Sequence, residues 1–160
     1  MIVIISGHIS SGKTTLAKQV ALALNAPLLS SDTLREKLQA QPQGAPRGAE
    51  FALMTELAFH TSGNLVLDST GMSYRFRDLV DRLRQNNHPG EIVHIRVFCD
   101  QKTWYFREMT RSDRGPLNEK VYAESRDVVW NREPEFSLES NSETFAQALA
   151  AIETHNLEKV

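Results

Sequence analysis

Cysteine, long apolar runs and an excess of basic charge are scarce or missing in this chain of 160 residues. The single cysteine, Cys99, cannot form an internal disulfide and has no Cys or His neighbour at metal-ligand spacing. We therefore expect a small packed side chain and a reducing, cytoplasmic setting. No stretch approaches the roughly 18 apolar residues of a membrane span. The net charge of −2 gives no overall attraction to nucleic acid or anionic lipid, although it does not exclude a local basic groove.

The composition is typical of one compact globular domain, because 41% of the residues are hydrophobic and 24% are charged. We therefore expect residues 1–160 to form a single domain. The first five residues are apolar, but no basic segment precedes them and Gly7 soon follows. This pattern predicts a buried strand and not a signal peptide.

Short apolar runs alternate with segments of helical periodicity along the whole chain. The predicted strands lie at residues 2–5, 27–29, 65–67, 92–98 and 136–138. This alternation predicts an α/β fold with a parallel sheet covered on both faces. In such a fold the residues that follow the strands gather at one rim, where ligands bind. The segments expected there are 6–14, 30–35, 68–71 and 99–115.

Several helix starts and one loop can also be predicted. Ser31 or Asp32 is placed to cap the helix after the second strand, and Ser140 with Glu143 has the S-x-x-E spacing of a capping box. Residues 41–48 contain two prolines and two glycines without an apolar period, which predicts a loop.

Residues 7–14 read Gly-His-Ile-Ser-Ser-Gly-Lys-Thr, which matches G-x-x-x-x-G-K-[ST]. The motif follows an apolar strand and precedes an amphipathic helix, which is the context that a phosphate-binding loop requires. Backbone N–H groups would surround phosphate oxygens, Lys13 would reach the β- and γ-phosphates of ATP, and the Thr14 hydroxyl would bind Mg²⁺. The candidate nucleotide-binding residues are Gly7, His8, Ile9, Ser10, Ser11, Gly12, Lys13, Thr14 and Thr15. His8 occupies a variable position of the motif, so we expect no catalytic role for it.

Two acidic residues follow other predicted strands. Asp68 ends the run Leu-Val-Leu-Asp, the pattern of a strand that ends in an acid able to hold Mg²⁺ opposite Thr14. Asp32 lies just beyond the second strand, with Arg35 one helical turn further on. Asp32 could orient or deprotonate an acceptor hydroxyl, and Arg35 could hold substrate phosphate. The alternatives are a turn-capping role for Asp68 and an N-cap with a local ion pair for Asp32 and Arg35.

Three arginines lie within eight residues of the segment expected to form a helix over about 102–114. Arg107, Arg111 and Arg114 would share one face of that helix and could clamp phosphate groups. The alternative is a solvated helix stabilised by ion pairs with Glu108 and Asp113. Trp104 and Trp130 are expected to pack beneath this segment.

With these elements together, the chain resembles the adenylate-kinase-like branch of P-loop kinases. Within that branch it is most similar to the polynucleotide kinase group, which includes zeta toxins and chloramphenicol phosphotransferase. The resemblance rests on residues 7–14, on Ser-Asp-Thr-Leu-Arg at 31–35, on Asp-Ser-Thr at 68–70 followed by Arg77, and on the arginine-rich segment 107–115. The sequence departs from the group at Gly71, where an asparagine is common.

The resemblance implies a three-layer α/β/α fold whose five parallel strands have the order 2-3-1-4-5, with a short helical lid at about 102–116. It implies that Asp32 is the catalytic carboxylate, that Arg35 grips the acceptor, and that Arg114, with Arg111 or Arg107, contacts the ATP phosphates. The implied activity is transfer of the γ-phosphoryl group of ATP·Mg to a hydroxyl.

The acidic isoelectric point of about 6.2 favours a small-molecule acceptor over a nucleic-acid 5′-hydroxyl. A nucleotide-binding switch or interaction module without catalysis is the alternative of another class. The chain contains neither the N-K-x-D tetrapeptide of GTPase switches nor an L-S-G-G-Q-like signature.

Overall fold

The computed structural model describes residues 1–85, 91–112, 115 and 117–157, without the side chains of residues 156 and 157. Strands and helices alternate along most of this chain. They are β1 (Ile2–Gly7), α1 (Lys13–Ala23), β2 (Leu28–Ser30), α2 (Ser31–Gln39), α3 (Ala49–His60), β3 (Leu65–Ser69), α4 (Tyr74–Gln85), β4 (Ile92–Phe98), α5 (Gln101–Thr110), α6 (Glu119–Arg126), β5 (Phe136–Glu139) and α7 (Thr144–Leu157).

The five strands form one parallel sheet in the order β2-β3-β1-β4-β5. β1 lies at its centre, where Ile4 pairs with Leu67 of β3 and with His94 of β4. All six residues of β1 are buried, as expected for a strand covered on both faces. The predicted fold class and strand order are confirmed.

Alternate residues of the strands feed two separate hydrophobic cores, because successive strand side chains point to opposite faces. Ile2 and Ile4 pack with α3 and α4 on one face. Val3 and Ile5 pack with α1 and α7 on the other. The fold therefore has three layers, with the sheet in the middle, and the carboxyl ends of β1, β2, β3 and β4 meet at one rim.

Three local predictions were wrong, one about the end of a helix and two about helix caps. The helix expected over 102–114 is α5, which ends at Thr110, and Arg111 has an extended backbone with φ −68° and ψ 139°. Thr110 donates its hydroxyl back to the Phe106 carbonyl at 2.9 Å, which partners an end carbonyl of the helix. Arg111 thus lies beyond the end of the helix, and it contacts the Ser10 hydroxyl where Arg107 contacts the Ser10 carbonyl.

The helix caps also differ from those expected. The N-cap of α2 is Ser30, so Ser31 and Asp32 lie in the first turn of the helix. α7 begins at Thr144, whose hydroxyl accepts from the Asn141 backbone N–H at 2.7 Å. Ser140 does not cap the helix, because its hydroxyl accepts a hydrogen bond from Arg107 at 3.0 Å. In the described part of the chain, no helix is long and apolar enough to cross a membrane.

Candidate nucleotide and acceptor site

The loop between β1 and α1 has the backbone of a phosphate-binding turn. Gly12, the N-cap of α1, has φ 93° and ψ 1°, a left-handed conformation that glycine adopts without strain. A Cβ at this position would lie 2.8 Å from the Ser140 hydroxyl oxygen. The first turn of α1 leaves N–H groups without helical partners, and they face the loop with the positive end of the helix dipole. The local structure thus suits an anion at residues 7–15.

Thr14 and Asp68 meet at this loop, as the sequence predicts for a magnesium site. The Thr14 hydroxyl donates to Asp68 Oδ2 at 2.9 Å. Asp68 Oδ1 is buried without a hydrogen-bond partner among the described residues. Burial raises the pKa of Asp68, while Lys13 and the hydroxyls of Thr14 and Ser30 oppose that rise. A hydroxyl and an unsatisfied carboxylate oxygen side by side are the oxygen donors that Mg²⁺ prefers, so these residues fit the ion.

Lys13 is enclosed by the loop and carries its charge there. Lys13 is only 7% exposed, and no described residue accepts a hydrogen bond from its ammonium group. The nearby Asp68 carboxylate interacts with it electrostatically. A buried ammonium without a hydrogen-bond acceptor is costly unless a ligand supplies one, so its donors remain available to phosphate oxygens.

His8 fixes the loop to the end of β4. Its Nε2 accepts from the Cys99 backbone N–H at 2.9 Å, which leaves Nδ1 to donate to the Ile9 carbonyl at 2.8 Å. Burial lowers the pKa of His8, so the ring is neutral near pH 7. The Tyr122 ring meets it edge-on at 5.0 Å between centroids. His8 therefore has a structural role in the loop, and Cys99 is buried at the strand end as predicted.

Two of the three predicted arginines contact the loop through Ser10. Arg107 donates to the Ser10 carbonyl at 3.2 Å and also contacts Ser140. Arg111 donates to the Ser10 hydroxyl at 3.1 Å, and that hydroxyl donates in turn to the buried carboxylate of Glu108. α5 is thus tied directly to the nucleotide loop. Arg114, the third predicted arginine, lies outside the described residues.

Asp32 and Arg35 lie at the neighbouring strand end, on α2. Arg35 donates to Asp32 Oδ1 at 3.1 Å and, through Nε, to Glu50 Oε1 at 3.0 Å. The Asp32 side chain is 61% exposed, whereas that of Glu50 is only 5% exposed. Asp32 also raises the pKa of Asp68, which places the two carboxylates within electrostatic range across the rim. The structure therefore brings Asp32, Arg35, Asp68 and Lys13 to one side of the sheet.

A cleft of about 910 Å³ lies beside Asp32. Its walls come from α2, from the loop before α3 and from the turn before α4. The lining residues include Arg35, Leu38, Arg47, Gly48, Glu50, Phe51, Met72, Tyr74 and Arg75. A site of this size holds a small molecule.

The sequence pattern did not single out Arg47, Gly48, Glu50 or Arg75 of this cleft. The available signal was the run Ala-Pro-Arg-Gly directly before an apolar helical segment, which marks a turn and a helix start. Gly48 is the N-cap of α3 with φ 90° and ψ 4°.

Gly71 and Trp130 explain two further differences from expectation. A Cβ at Gly71 would lie 2.4 Å from the Trp130 ring, so the tryptophan fills the space that a larger side chain would need. Trp130 therefore packs in the core on the α3 and α4 face of the sheet, with Phe76 and His94. It does not lie beneath the arginine segment, whereas Trp104 does, with Cys99 and Tyr122. Arg77 holds the 71–72 turn by donating to both of its carbonyls.

The fold and the glycine-lysine loop define a P-loop α/β domain, and comparisons with known proteins agree. Residues 2–131 match the family model described as AAA domain. The chain belongs to this AAA domain family.

The relatives and solved structures most similar to this chain include several kinases. A shikimate kinase of Corynebacterium diphtheriae is 40% identical over 67 residues, which span 42% of this chain and 36% of that relative. A gluconokinase structure from Sinorhizobium meliloti superposes with a TM-score of 0.70 at 18% identity, covering 98% of this chain and 94% of the other. The APS kinase of Mycobacterium tuberculosis, solved with AMPPNP and APS, superposes with a TM-score of 0.64 at 20% identity, covering 95% of each chain.

Proposed function

We propose that this protein is an ATP-dependent kinase that transfers the γ-phosphoryl group of ATP to a hydroxyl of a small molecule. The observation that carries this proposal is the pair of sites at one rim of the sheet. A phosphate loop with Lys13, Thr14 and Asp68 lies beside a separate cleft, and Asp32 stands next to that cleft. A nucleotide switch needs the first site but not the second. The kinase names of the relatives support the same activity.

On the nucleotide side, the backbone of residues 7–15 would cradle the phosphates and Lys13 would neutralise the β- and γ-phosphates. Thr14 and Asp68 would hold Mg²⁺, which when bound screens the phosphate charge and orients the γ-phosphate. The orphaned Asp68 Oδ1 and the hydroxyl of Ser11, also buried without a partner among the described residues, support this assignment. Both atoms would gain partners when the ligand binds.

On the acceptor side, Asp32 would accept the proton of the attacking hydroxyl. The hydroxyl oxygen forms a bond to the γ-phosphorus, the bond from that phosphorus to the β–γ bridging oxygen breaks, and ADP leaves. Arg35 holds the Asp32 carboxylate in position and links it to the cleft wall through Glu50. The products are ADP and a phosphate ester, with the proton on Asp32.

Residues 1–160 would act as one domain in which about 102–116 forms the lid. Arg107, Arg111 and Arg114 would approach the ATP phosphates, and the contacts of the first two with Ser10 support this placement. Closure of such a segment excludes water and suppresses ATP hydrolysis without acceptor.

A polynucleotide 5′-hydroxyl kinase is the second candidate, and the arginines of the cleft favour it because they could bind a nucleic-acid backbone. The acidic isoelectric point of about 6.2 and the limited size of the cleft favour a small molecule. A non-catalytic nucleotide-binding module is the third candidate.

The test is transfer of label from γ-labelled ATP with Mg²⁺. One reaction contains a pool of hydroxylated metabolites and nucleosides, and the other contains a 5′-hydroxyl oligonucleotide. We expect label in the metabolite pool. Lys13→Ala should reduce transfer by roughly 100- to 1,000-fold or more, because the phosphates lose their buried cation.

Lys18→Ala is the matched control, since Lys18 is exposed on the same helix. It should leave transfer unchanged. Label in the oligonucleotide alone would replace the small-molecule acceptor with nucleic acid. ATP binding without acceptor-dependent turnover would support the non-catalytic module.

A further inference from the structure

The cleft beside Asp32 carries more positive than negative charge. Its described lining contains three arginines, Arg35, Arg47 and Arg75, and one carboxylate, Glu50. Arg35 is neutralised locally, because it contacts both Glu50 and Asp32. In the described part of the chain, no carboxylate lies within ion-pair distance of Arg47 or Arg75. Two arginines of the cleft lining therefore have no carboxylate partner among the described residues.

Arg75 lies against two neighbouring residues, Gly48 and Tyr74. Its Nη1 lies 2.4 Å from the position that a Cβ on Gly48 would take, so the guanidinium rests directly on the glycine backbone. Its Cζ lies 5.2 Å from the centroid of the Tyr74 ring. The Arg75 guanidinium thus packs beside the N-terminus of α3, and its charge has no ion-pair partner among the described residues.

We propose that Arg75 and Arg47 bind an oxyanion of the acceptor, either a carboxylate or a phosphate. The acceptor is then a small hydroxy acid or a phosphorylated alcohol and not a neutral polyol. This deepens the proposed function and rests on it for the assignment of the cleft as the acceptor site. Guanidinium groups pair with both oxyanions in the same two-pronged geometry, so the shared chemistry is a planar or tetrahedral oxyanion.

Glu50 sets the direction in which such an acceptor lies. Glu50 and Asp32 share the single guanidinium of Arg35, so this group of three carries a net negative charge that repels an anion from the end of the cleft that adjoins Asp32. The anionic group is therefore directed to Arg47 and Arg75, and the reacting hydroxyl is left at the Asp32 end. Charge selects both the class of acceptor and its orientation.

The first test measures binding without turnover. The phosphate loop is saturated with AMPPNP and Mg²⁺, and inorganic phosphate is titrated while ³¹P line broadening is followed. The wild type should bind phosphate saturably. Arg75→Gln and Arg47→Gln should each weaken binding by roughly 10- to 100-fold, the value of a charge-assisted contact. Arg132→Gln, which alters an arginine with a 68% exposed side chain outside the cleft, should bind as the wild type does.

The second test measures transfer to matched pools of sugar acids, sugar phosphates and the corresponding neutral sugar alcohols. Label should enter one of the two anionic pools, and which one it enters identifies the oxyanion. For that acceptor, Arg75→Gln should raise KM by roughly 10- to 100-fold and change kcat much less.

Each contrary result has a distinct meaning. Equal phosphate binding by the wild type and Arg75→Gln, or no saturable binding, overturns the oxyanion site. Label in the neutral alcohols with a KM unaffected by Arg75→Gln, or label in a 5′-hydroxyl oligonucleotide, overturns the acceptor class while the kinase activity stands. Arginine-dependent phosphate binding without transfer to any pool overturns the proposed function and leaves the oxyanion site in place.

Discussion

The nucleotide loop and the acceptor cleft lie side by side but are built differently. The loop is held on several sides, by His8 to the end of β4 and by Ser10 to α5. The cleft is lined by side chains from three segments, and Arg47 and Arg75 have no ion-pair partner among the described residues. A phosphate group can be bound by backbone N–H groups alone, whereas the cleft presents its charge through side chains.

Both regions nevertheless use the same backbone device. Gly12 begins α1 at the loop and Gly48 begins α3 at the cleft, and their φ angles of 93° and 90° are nearly equal. Each glycine also makes room for a side chain, which is the Ser140 hydroxyl at Gly12 and the Arg75 guanidinium at Gly48. The same substitution can therefore be made in both regions and its effects compared.

The largest expected effect separates binding from transfer. Asp32→Asn should lower the rate of transfer by roughly 100- to 10,000-fold, because the amide cannot accept the proton of the acceptor hydroxyl. The affinity for ATP, measured by calorimetry, should stay nearly unchanged, since Asp32 lies outside the phosphate loop. Glu36→Gln, an exposed acid on the same helix, is the control. Transfer at the wild-type rate in Asp32→Asn would remove Asp32 from the mechanism.

The next effect compares the two glycines. Gly12→Ala should weaken ATP binding by about 1–3 kcal/mol. Gly48→Ala should raise the KM of the acceptor by a factor that corresponds to about 1–3 kcal/mol. Each substitution places a Cβ in a left-handed conformation against a close neighbour. ATP affinity and acceptor KM are measured for both variants.

Gly63→Ala is the control for both, since a Cβ there would meet no atom within 4 Å. Thermal unfolding of all three variants separates loss of binding from loss of folding. If both substitutions weaken ATP binding equally, the two regions do not work as separate sites.

The smallest effect concerns the core between the two regions. His94 is buried, its Nε2 lies 2.7 Å from the Ser6 hydroxyl, and its ring contacts Trp130. Burial lowers the pKa of His94 to about 3, from 6.5 in the unfolded chain. Below pH 6.5 the unfolded chain therefore binds a proton at His94, whereas the folded protein does not until the pH approaches 3. The stability of the folded protein that is present above pH 6.5 is lost progressively as the pH falls toward 3.

We expect His94 to contribute about 1.4 kcal/mol per pH unit to this loss, as seen in the free energy of unfolding by urea. His94→Gln should reduce the slope by that amount between pH 6 and pH 4. An equal slope in the wild type and His94→Gln would mean that His94 is protonated in the folded protein.

The sequence predicted the fold and the nucleotide loop because each rests on local patterns. β1 and β3 are continuous apolar runs, and the spacing from Gly7 to Thr14 depends on backbone conformation alone. Asp68 could be predicted for the same reason, since it ends a buried strand. The pairing of Thr14 with Asp68 followed from the parallel sheet, which brings both strand ends to one rim.

The individual arginines of the proposed acceptor cleft could not be predicted in this way, because they come from segments that meet only in the folded chain. Arg75 lies 27 residues beyond Gly48, and nothing in either segment indicates their contact. The end of α5 was missed for a related reason. Helical spacing continues past Thr110, but the contact of Arg111 with Ser10, 101 residues away, lies outside any local pattern.

The positions of the two tryptophans have a practical consequence for following this protein by its fluorescence. The Trp104 ring lies 4.7 Å from Tyr122, which in turn meets His8 of the nucleotide loop. Trp130 lies against Gly71 in the turn before α4, and it belongs to the same core cluster as Phe51, which lines the proposed acceptor cleft. Each half of the molecule thus contains one emitter of its own. In Trp130→Phe the remaining emission should change with ATP, and in Trp104→Phe it should change with the acceptor, so the order in which the two substrates bind can be recorded in a stopped-flow experiment without any added dye.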